Sequence, residues 1–275
     1  MFFSFNLYVT IPILVYFLIF IVLLKIRSVN IPKTWFVPLF ALYFGVSLAT
    51  LFAIFLDGSE SFKLLSENSI LTLVLQAFNP KNGLGKVMYG GYFGSIVGIL
   101  FANLIATQKP ASILLDISSI SWSVFLTIWR IGCFLDGCCY GCPSETLGIA
   151  FSKDSIAFRH LQGTALVVGD STVPLLPTQL ISSFWNLFVF LFLLILFCKN
   201  KTRYPYFYFF AQMFLYGVGR FIIEFFRIDP REFWGFLSMS QWISLVLIAV
   251  SLAFFIKNRK RIFENISEKM SQKQI

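Results

Sequence analysis

The sequence predicts an all-α integral membrane protein of about seven transmembrane helices, and three observations carry that prediction. Hydrophobic residues make up 57% of the 275 and charged ones only 13%, against about 25% charged in an average soluble domain. Mean hydropathy is +0.79. Seven apolar stretches approach the roughly 20 residues that a helix needs to cross a bilayer.

The first stretch, Leu7 to Leu24, has no Lys or Arg before Lys25, so the basic start of a cleaved secretory signal is missing and it reads as a retained span. The second runs from Trp35 to Leu56. The third, Val87 to Ala106, contains Gly94-x-x-x-Gly98, the small-residue spacing of closely packed membrane helices. Tyr89 precedes Gly90-Gly91 near the start of that span, a position also suited to an interfacial tyrosine. The fourth, Ala111 to Trp129, is the most polar, with Asp116 and several serines. The fifth, Thr178 to Cys198, opens on Pro177-Thr178-Gln179, with Thr178 placed as an N-cap and Gln179 one step inside. The sixth and seventh are Pro205 to Phe226 and Phe236 to Ile256.

The net charge is +9, unevenly placed. Thirteen cations fall in the first, third and fifth connections and the C-terminal tail, while the even-numbered connections hold seven. The positive-inside rule then puts the N-terminus outside and the C-terminus in the cytoplasm. Residues 1–256 read as a single transmembrane domain with outer segments 57–86 and 130–177, and 257–275 as a basic cytoplasmic tail suited to anionic lipid. No helix-turn-helix, zinc-finger or RNA-binding pattern accompanies the basic residues, which argues against a nucleic-acid partner. Within 130–177, Ile149-Ala-Phe-Ser and Ala165-Leu-Val-Val read as a small hairpin.

Charges inside spans are costly and tend to be functional. Arg220, Glu224 and Arg227 sit at i, i+4 and i+7 in the sixth span, on one helix face. Two readings stand: an internal ion-pair ladder, or a site for an anionic headgroup. Arg130, at the edge of the fourth span, belongs with them, because guanidiniums bind phosphate oxygens in bidentate fashion.

Four cysteines follow Arg130 closely: Cys133, Cys138, Cys139 and Cys142. A structural disulfide, a metal site and a tight loop facing the lipid are all open readings. Zinc prefers paired knuckles, and only Cys139-x-x-Cys142 has that spacing. Cys198 reads as a small buried apolar residue. His160, the only histidine, lacks partners for a hydrolase triad and reads as a surface residue.

Four blocks carry a family resemblance. The frame Gly-Arg-x-Gly-Asn-Phe-x-Asn-x-Glu-x-x-Gly is matched by Trp129-Arg130-Ile-Gly132-Cys133-Phe134-Leu-Asp136-Gly-Cys138-Cys-Tyr-Gly141 at Arg130, Gly132, Phe134 and Gly141. Gly-Arg-Phe-x-x-Glu-Phe-x-Arg is met without change by Gly219 to Arg227. Tyr89-Gly90-Gly91 and Pro177-Thr178-Gln179-Leu180 supply the other two. In these blocks the chain resembles the prolipoprotein diacylglyceryl transferases, as a divergent member with Cys133 and Asp136 in place of asparagines and Cys138 in place of glutamate.

The resemblance implies an enzyme of the bacterial cytoplasmic (inner) membrane. Such an enzyme transfers diacylglyceryl from phosphatidylglycerol to the lipobox cysteine of a prolipoprotein signal peptide, with no metal or cofactor. By that likeness Arg130, Arg220, Tyr89, Asp136 and Glu224 are catalytic, and Gly90, Gly91, Cys133, Gly141, Gln179 and Arg227 bind substrate. A non-catalytic phospholipid-binding or transport protein is the alternative.

Overall fold

In the computed structural model, the described residues are 2–29, 34–56, 88–107, 110–199, 204–230 and 233–271. The outer segment 57–86 therefore lies outside them, as does Arg231. In chain order the helices are α1 (Phe2–Ile26), α2 (Val37–Leu56), α3 (Met88–Ala102), α4 (Ala111–Asp136), α5 (Ile156–Leu161), α6 (Thr178–Cys198), α7 (Phe207–Glu224) and α8 (Met239–Ser271). A π-helical turn, Asn103–Thr107, prolongs α3. Two short antiparallel hairpins interrupt them, β1 (Val167–Val168) with β2 (Ser171–Thr172), and β3 (Phe233–Trp234) with β4 (Leu237–Ser238).

The protein is thus mostly helical. Among the described residues α4, α6 and the Met239–Asn265 part of α8 are long and apolar enough to cross a membrane, and shorter apolar helices accompany them. Gln212, Arg220 and Glu224 make α7 too polar to join that group. The chain divides into two compact units, one of Met1–Asn6 with Phe17–Ser118 and the other of Leu7–Tyr16 with Ser119–Ile275.

The first unit rests on the contact of α2 with α3. Gly90, Gly94 and Gly98 are four residues apart and so form one ridge along α3. A Cβ on Gly94 would collide with the Phe44 carbonyl oxygen, and one on Gly98 with that of Phe40. One on Gly90 would lie 2.7 Å from Ala49 Cα. Lipid gives two apolar helices little reason to associate, so backbone proximity at small residues supplies the attraction.

Of the three long apolar helices, α4 is the most enclosed: 78% of its apolar window is buried, against 39% for α6 and 22% for α8. This explains the serines. Ser118, Ser119, Ser121 and Ser123 are all buried, and the Ser123 and Thr127 hydroxyls donate to carbonyls four residues back. Ser183 of α6 donates to the Thr127 carbonyl at 2.8 Å. A glycine pair sets α7: Gly217 lies against Ser244 and Ile248 of α8, and Gly219 lies under the Trp185 indole of α6.

Three expectations need correction. The fourth helix does not stop at Trp129 but continues to Asp136, because Ile131, Phe134 and Leu135 sustain the apolar pattern until Gly137 takes a left-handed φ of +70°. The hairpin in 130–177 pairs Val167–Val168 with Ser171–Thr172, while Ile149 and Ser152 bridge to Leu175 and Ser171. Cys198 is exposed at the end of α6. The residues read as a basic tail are helical as far as Ser271, where α8 ends.

A buried arginine cluster beside three thiols

The end of α4 builds the first half of the site. The Gly137 amide donates to the Phe134 carbonyl and the Cys138 amide to the Cys133 carbonyl, which together make a Schellman C-cap with glycine at its left-handed position. That motif brings the residue after the glycine back against the last turn of the helix. Here the two residues so paired are Cys133 and Cys138, and the Cys138 thiol lies 3.5 Å from the Cys133 carbonyl oxygen.

Cys139 has φ +58°, a rare conformation for a residue with a side chain, and it turns the third thiol into the same group. The Sγ atoms of Cys133, Cys138 and Cys139 all lie within 4.8 Å of one another.

The first turn of α6 fixes this loop from the side. Gln179 Nε2 donates to the Cys138 carbonyl at 2.6 Å, and Thr178 Oγ1 to the Cys139 carbonyl at 2.5 Å. Thr178 is therefore not the N-cap expected from sequence. The cap is Pro177, with no side-chain bond, and the threonine hydroxyl is spent on the loop. Gln179 Oε1 is buried without a partner.

Beyond the thiols, Gly141 bridges Arg227, with the Cys142 amide donating to the Phe226 carbonyl at 2.9 Å and the Gly141 amide to the Leu176 carbonyl at 2.9 Å. A Cβ on Gly141 would fall 2.7 Å from Thr178 and 2.8 Å from the Leu176 oxygen. Gly141 thus lets three chain segments meet.

The end of α7 builds the second half. Glu224, 3% exposed, accepts from Arg220 Nη2 at 2.9 Å and from Arg227 Nη1 at 3.1 Å. Its other oxygen accepts from the Ser238 hydroxyl at 3.2 Å. Ser238 in turn caps α8, receiving the Gln241 amide at 3.2 Å while its own amide donates to Gln241 Oε1 at 3.0 Å, a reciprocal capping box. Arg227 also makes a two-pronged pair with Asp229 at 2.9 and 2.6 Å. Arg220 Nη2 reaches Ser240 at 3.3 Å, and its Nη1 is buried with no partner.

Arg130 is 5% exposed on α4. It faces Cys133, Cys139, Tyr216 and Arg227 electrostatically, and among the described residues no carboxylate pairs with it. Among the described residues two arginines and two carboxylates balance at the α7 end, and Arg130 adds one positive charge that no carboxylate offsets. In the loop, hydrogen bonds from Cys133 and Cys138, followed by the arginine field, hold the Cys139 thiol well below its ordinary value. Hydrogen bonding within the same trio pushes Cys138 up.

The residues singled out by sequence fall into three groups. Arg130, Cys133, Gly141, Gln179, Glu224 and Arg227 come together in the second unit, with Arg220 joined to them through Glu224. Asp136 ends α4 half-buried and is absent from the groups facing Arg130. Gly90 is taken up by the contact with α2, Gly91 stands next to it in α3, and the Tyr89 side chain lies outside the described residues. His160 is exposed. Sequence reasoning missed Asp229, Ser238 and Ser240. Ser238-x-x-Gln241 was the available signal, because that spacing is a helix start.

A family model described as prolipoprotein diacylglyceryl transferase matches residues 4–257. The phosphatidylglycerol–prolipoprotein diacylglyceryl transferase 2 of Clostridium perfringens is 30% identical over 188 residues, 68% of this chain and 68% of that protein. The phosphatidylglycerol–prolipoprotein diacylglyceryl transferase of Clostridium tetani is 34% identical over 182 residues, 65% of this chain and 66% of that protein. The protein of that name from Streptococcus pneumoniae serotype 4 is 31% identical over 183 residues, covering 64% and 63% of the two chains. The matched region spans about two thirds of each relative's length.

Proposed function

The chain belongs to the prolipoprotein diacylglyceryl transferase family, and from that premise we propose that it transfers a diacylglyceryl group from phosphatidylglycerol to the lipobox cysteine thiol of a bacterial prolipoprotein signal peptide. The acceptor sulfur attacks the glyceryl carbon next to the phosphate. A C–S bond forms, the C–O bond breaks, and glycerol phosphate leaves with the electron pair. A phosphodiester leaves poorly unless its charge is balanced, and a thiol attacks poorly until deprotonated.

The observation that carries this reading is the unpartnered, buried Nη1 of Arg220, in a guanidinium whose other arm is fixed by Glu224 and Ser240. A fixed donor with free capacity is what stabilises charge developing on a leaving oxygen. Arg130 supplies the uncompensated charge for the same phosphate. Arg227 is already engaged by Glu224 and Asp229, so it holds Glu224, and through it Arg220, in place. Gln179 and Gly141 shape the cysteine loop. Tyr89 and Gly91 meet the donor lipid, and Asp136 is the second choice for the acceptor's proton after Tyr89. An apolar groove of about 390 Å³ between α6 and α7, lined by Phe184, Phe188, Gly219 and Ile222, suits an acyl chain. Seven spans, an outward N-terminus, a cytoplasmic tail at the inner membrane and no nucleic-acid partner complete the reading.

The test is mass spectrometry of a lipobox peptide incubated with phosphatidylglycerol and the purified protein. The diacylglyceryl mass gain is expected, and Arg220→Ala abolishes it while leaving the protein folded. Phosphatidylglycerol binding with no mass gain would replace this reading with that of a lipid-binding protein.

A further inference from the structure

We propose that Cys133, Cys138 and Cys139 form a binding site for a thiophilic divalent cation of the zinc class, with its fourth coordination position taken by the acceptor thiol. The ion site stands by itself, whereas the role of the fourth position rests on the transfer reaction proposed above.

Geometry makes the first argument. A tetrahedral ion with metal–sulfur bonds of about 2.3 Å holds its sulfurs about 3.8 Å apart. The three Sγ atoms are already within 4.8 Å of one another, so closing on an ion needs shifts of about 1 Å or less. The scaffold that gathers them is rigid. Gly137 sets the Schellman turn, Cys139 takes a left-handed φ of +58°, and Gln179 and Thr178 hold the two loop carbonyls at 2.6 and 2.5 Å. Backbone strain at a non-glycine residue persists where the surroundings enforce it, and here it aims a sulfur.

Charge makes the second. Three thiolates around a dication leave one net negative charge. Arg130 faces Cys133 and Cys139, is buried, and has no carboxylate partner among the described residues. Its charge has the sign and position to balance such a complex.

Coordination number makes the third. Structural zinc sites are closed by four protein ligands, whereas reactive ones keep a position open. Among the described residues no fourth cysteine, histidine or carboxylate joins the trio. Cys142 is not part of the trio, and its backbone amide bonds the Phe226 carbonyl. The spacing i, i+5, i+6 is not a knuckle pattern, so the sequence left a metal site as one open reading among three, and only the family resemblance implied a metal-free reaction.

The three protein thiols each give up a proton to water when the ion binds, and the incoming thiol gives its proton to the acceptor base proposed above. The acceptor sulfur is then held as a thiolate next to Arg130, where the phosphate of the donor also binds. Its lone pair forms the C–S bond as the C–O pair departs with the phosphate oxygen, so attacking and leaving groups meet on either side of one guanidinium.

The experiment uses the reduced full chain in lipid nanodiscs, loaded with zinc and desalted, with metal measured per chain. About one ion per chain is expected, with a loss of roughly tenfold or more in Cys133→Ser, Cys138→Ser and Cys139→Ser and none in Cys142→Ser or Cys198→Ser. Loaded instead with cobalt(II), the protein should show thiolate charge-transfer bands that shift on adding a lipobox peptide and not its serine counterpart. No retained ion in a protein with free thiols, or a Cys133–Cys138 or Cys138–Cys139 disulfide in its place, overturns the site. A cobalt spectrum indifferent to the peptide, or full transfer in metal-free protein, overturns the role of the fourth position. Bound ion and a responsive spectrum without transfer leave the site standing and remove the catalytic reading instead.

Discussion

Replacing Glu224 by glutamine keeps the shape of the side chain and removes one charge from a buried group that is otherwise neutral. Arg220 and Arg227 both bond the same oxygen, at 2.9 and 3.1 Å, with side chains 11% and 7% exposed. Breaking a buried pair by removing one partner costs about 3–5 kcal/mol. One substitution breaks both bonds here, so about 4 kcal/mol is the working figure, equivalent to a fall in Tm of roughly 8–16 °C for a chain of this size. The assay is thermal unfolding of purified protein in detergent, at matched scan rates because membrane proteins seldom refold on cooling. The double variant Arg220→Met with Glu224→Gln leaves the Arg227–Asp229 pair intact and neutral, so it should regain at least about half of the loss. A Glu224→Gln protein within about 2 °C of the unsubstituted one would refute the buried-charge account.

Gly137→Ala places a Cβ at φ +70° and 2.8 Å from Ser155, so stability should drop by about 1–3 kcal/mol in a denaturation series. Ser238→Ala removes both the α8 cap and a bond to Glu224, and a loss of about 1–2 kcal/mol is expected by the same assay. Gly94→Val drives a branched side chain into the Phe44 carbonyl, and protease digestion should then cleave between α2 and α3 at temperatures that leave the unsubstituted protein whole.

Hydropathy located helices well where lipid or core lies on most sides: α6 spans the residues that sequence gives it, Thr178–Cys198. Helix periodicity likewise paired Arg220 with Glu224 on one face of α7, but the helix ends at Glu224, so Arg227 reaches the same carboxylate from the turn beyond it and not from the helix. It did not find Asp229, because that residue lies past the end of α7 and returns to Arg227 through a turn that no helical spacing describes. Arg130 was misplaced for a related reason. A charge in an apolar run reads as a boundary, yet its burial beside thiols lets α4 continue about two turns further, to Asp136. The thiol trio depends on two left-handed residues in succession around Cys138, and only glycine at 137 signals even one of them. For Gly90, the four-residue spacing to Gly94 and Gly98 already spelled out a ridge against α2, in addition to the ligand contact that the Tyr-Gly-Gly block suggests.

The two glycines of α7 carry a consequence for Arg220. With Gly217 seated on α8 and Gly219 beneath Trp185, the helix is wedged from opposite flanks and cannot roll about its axis without steric collision. The guanidinium that follows one residue later therefore inherits a fixed bearing. Its marksmanship is set by two side chains that are not there.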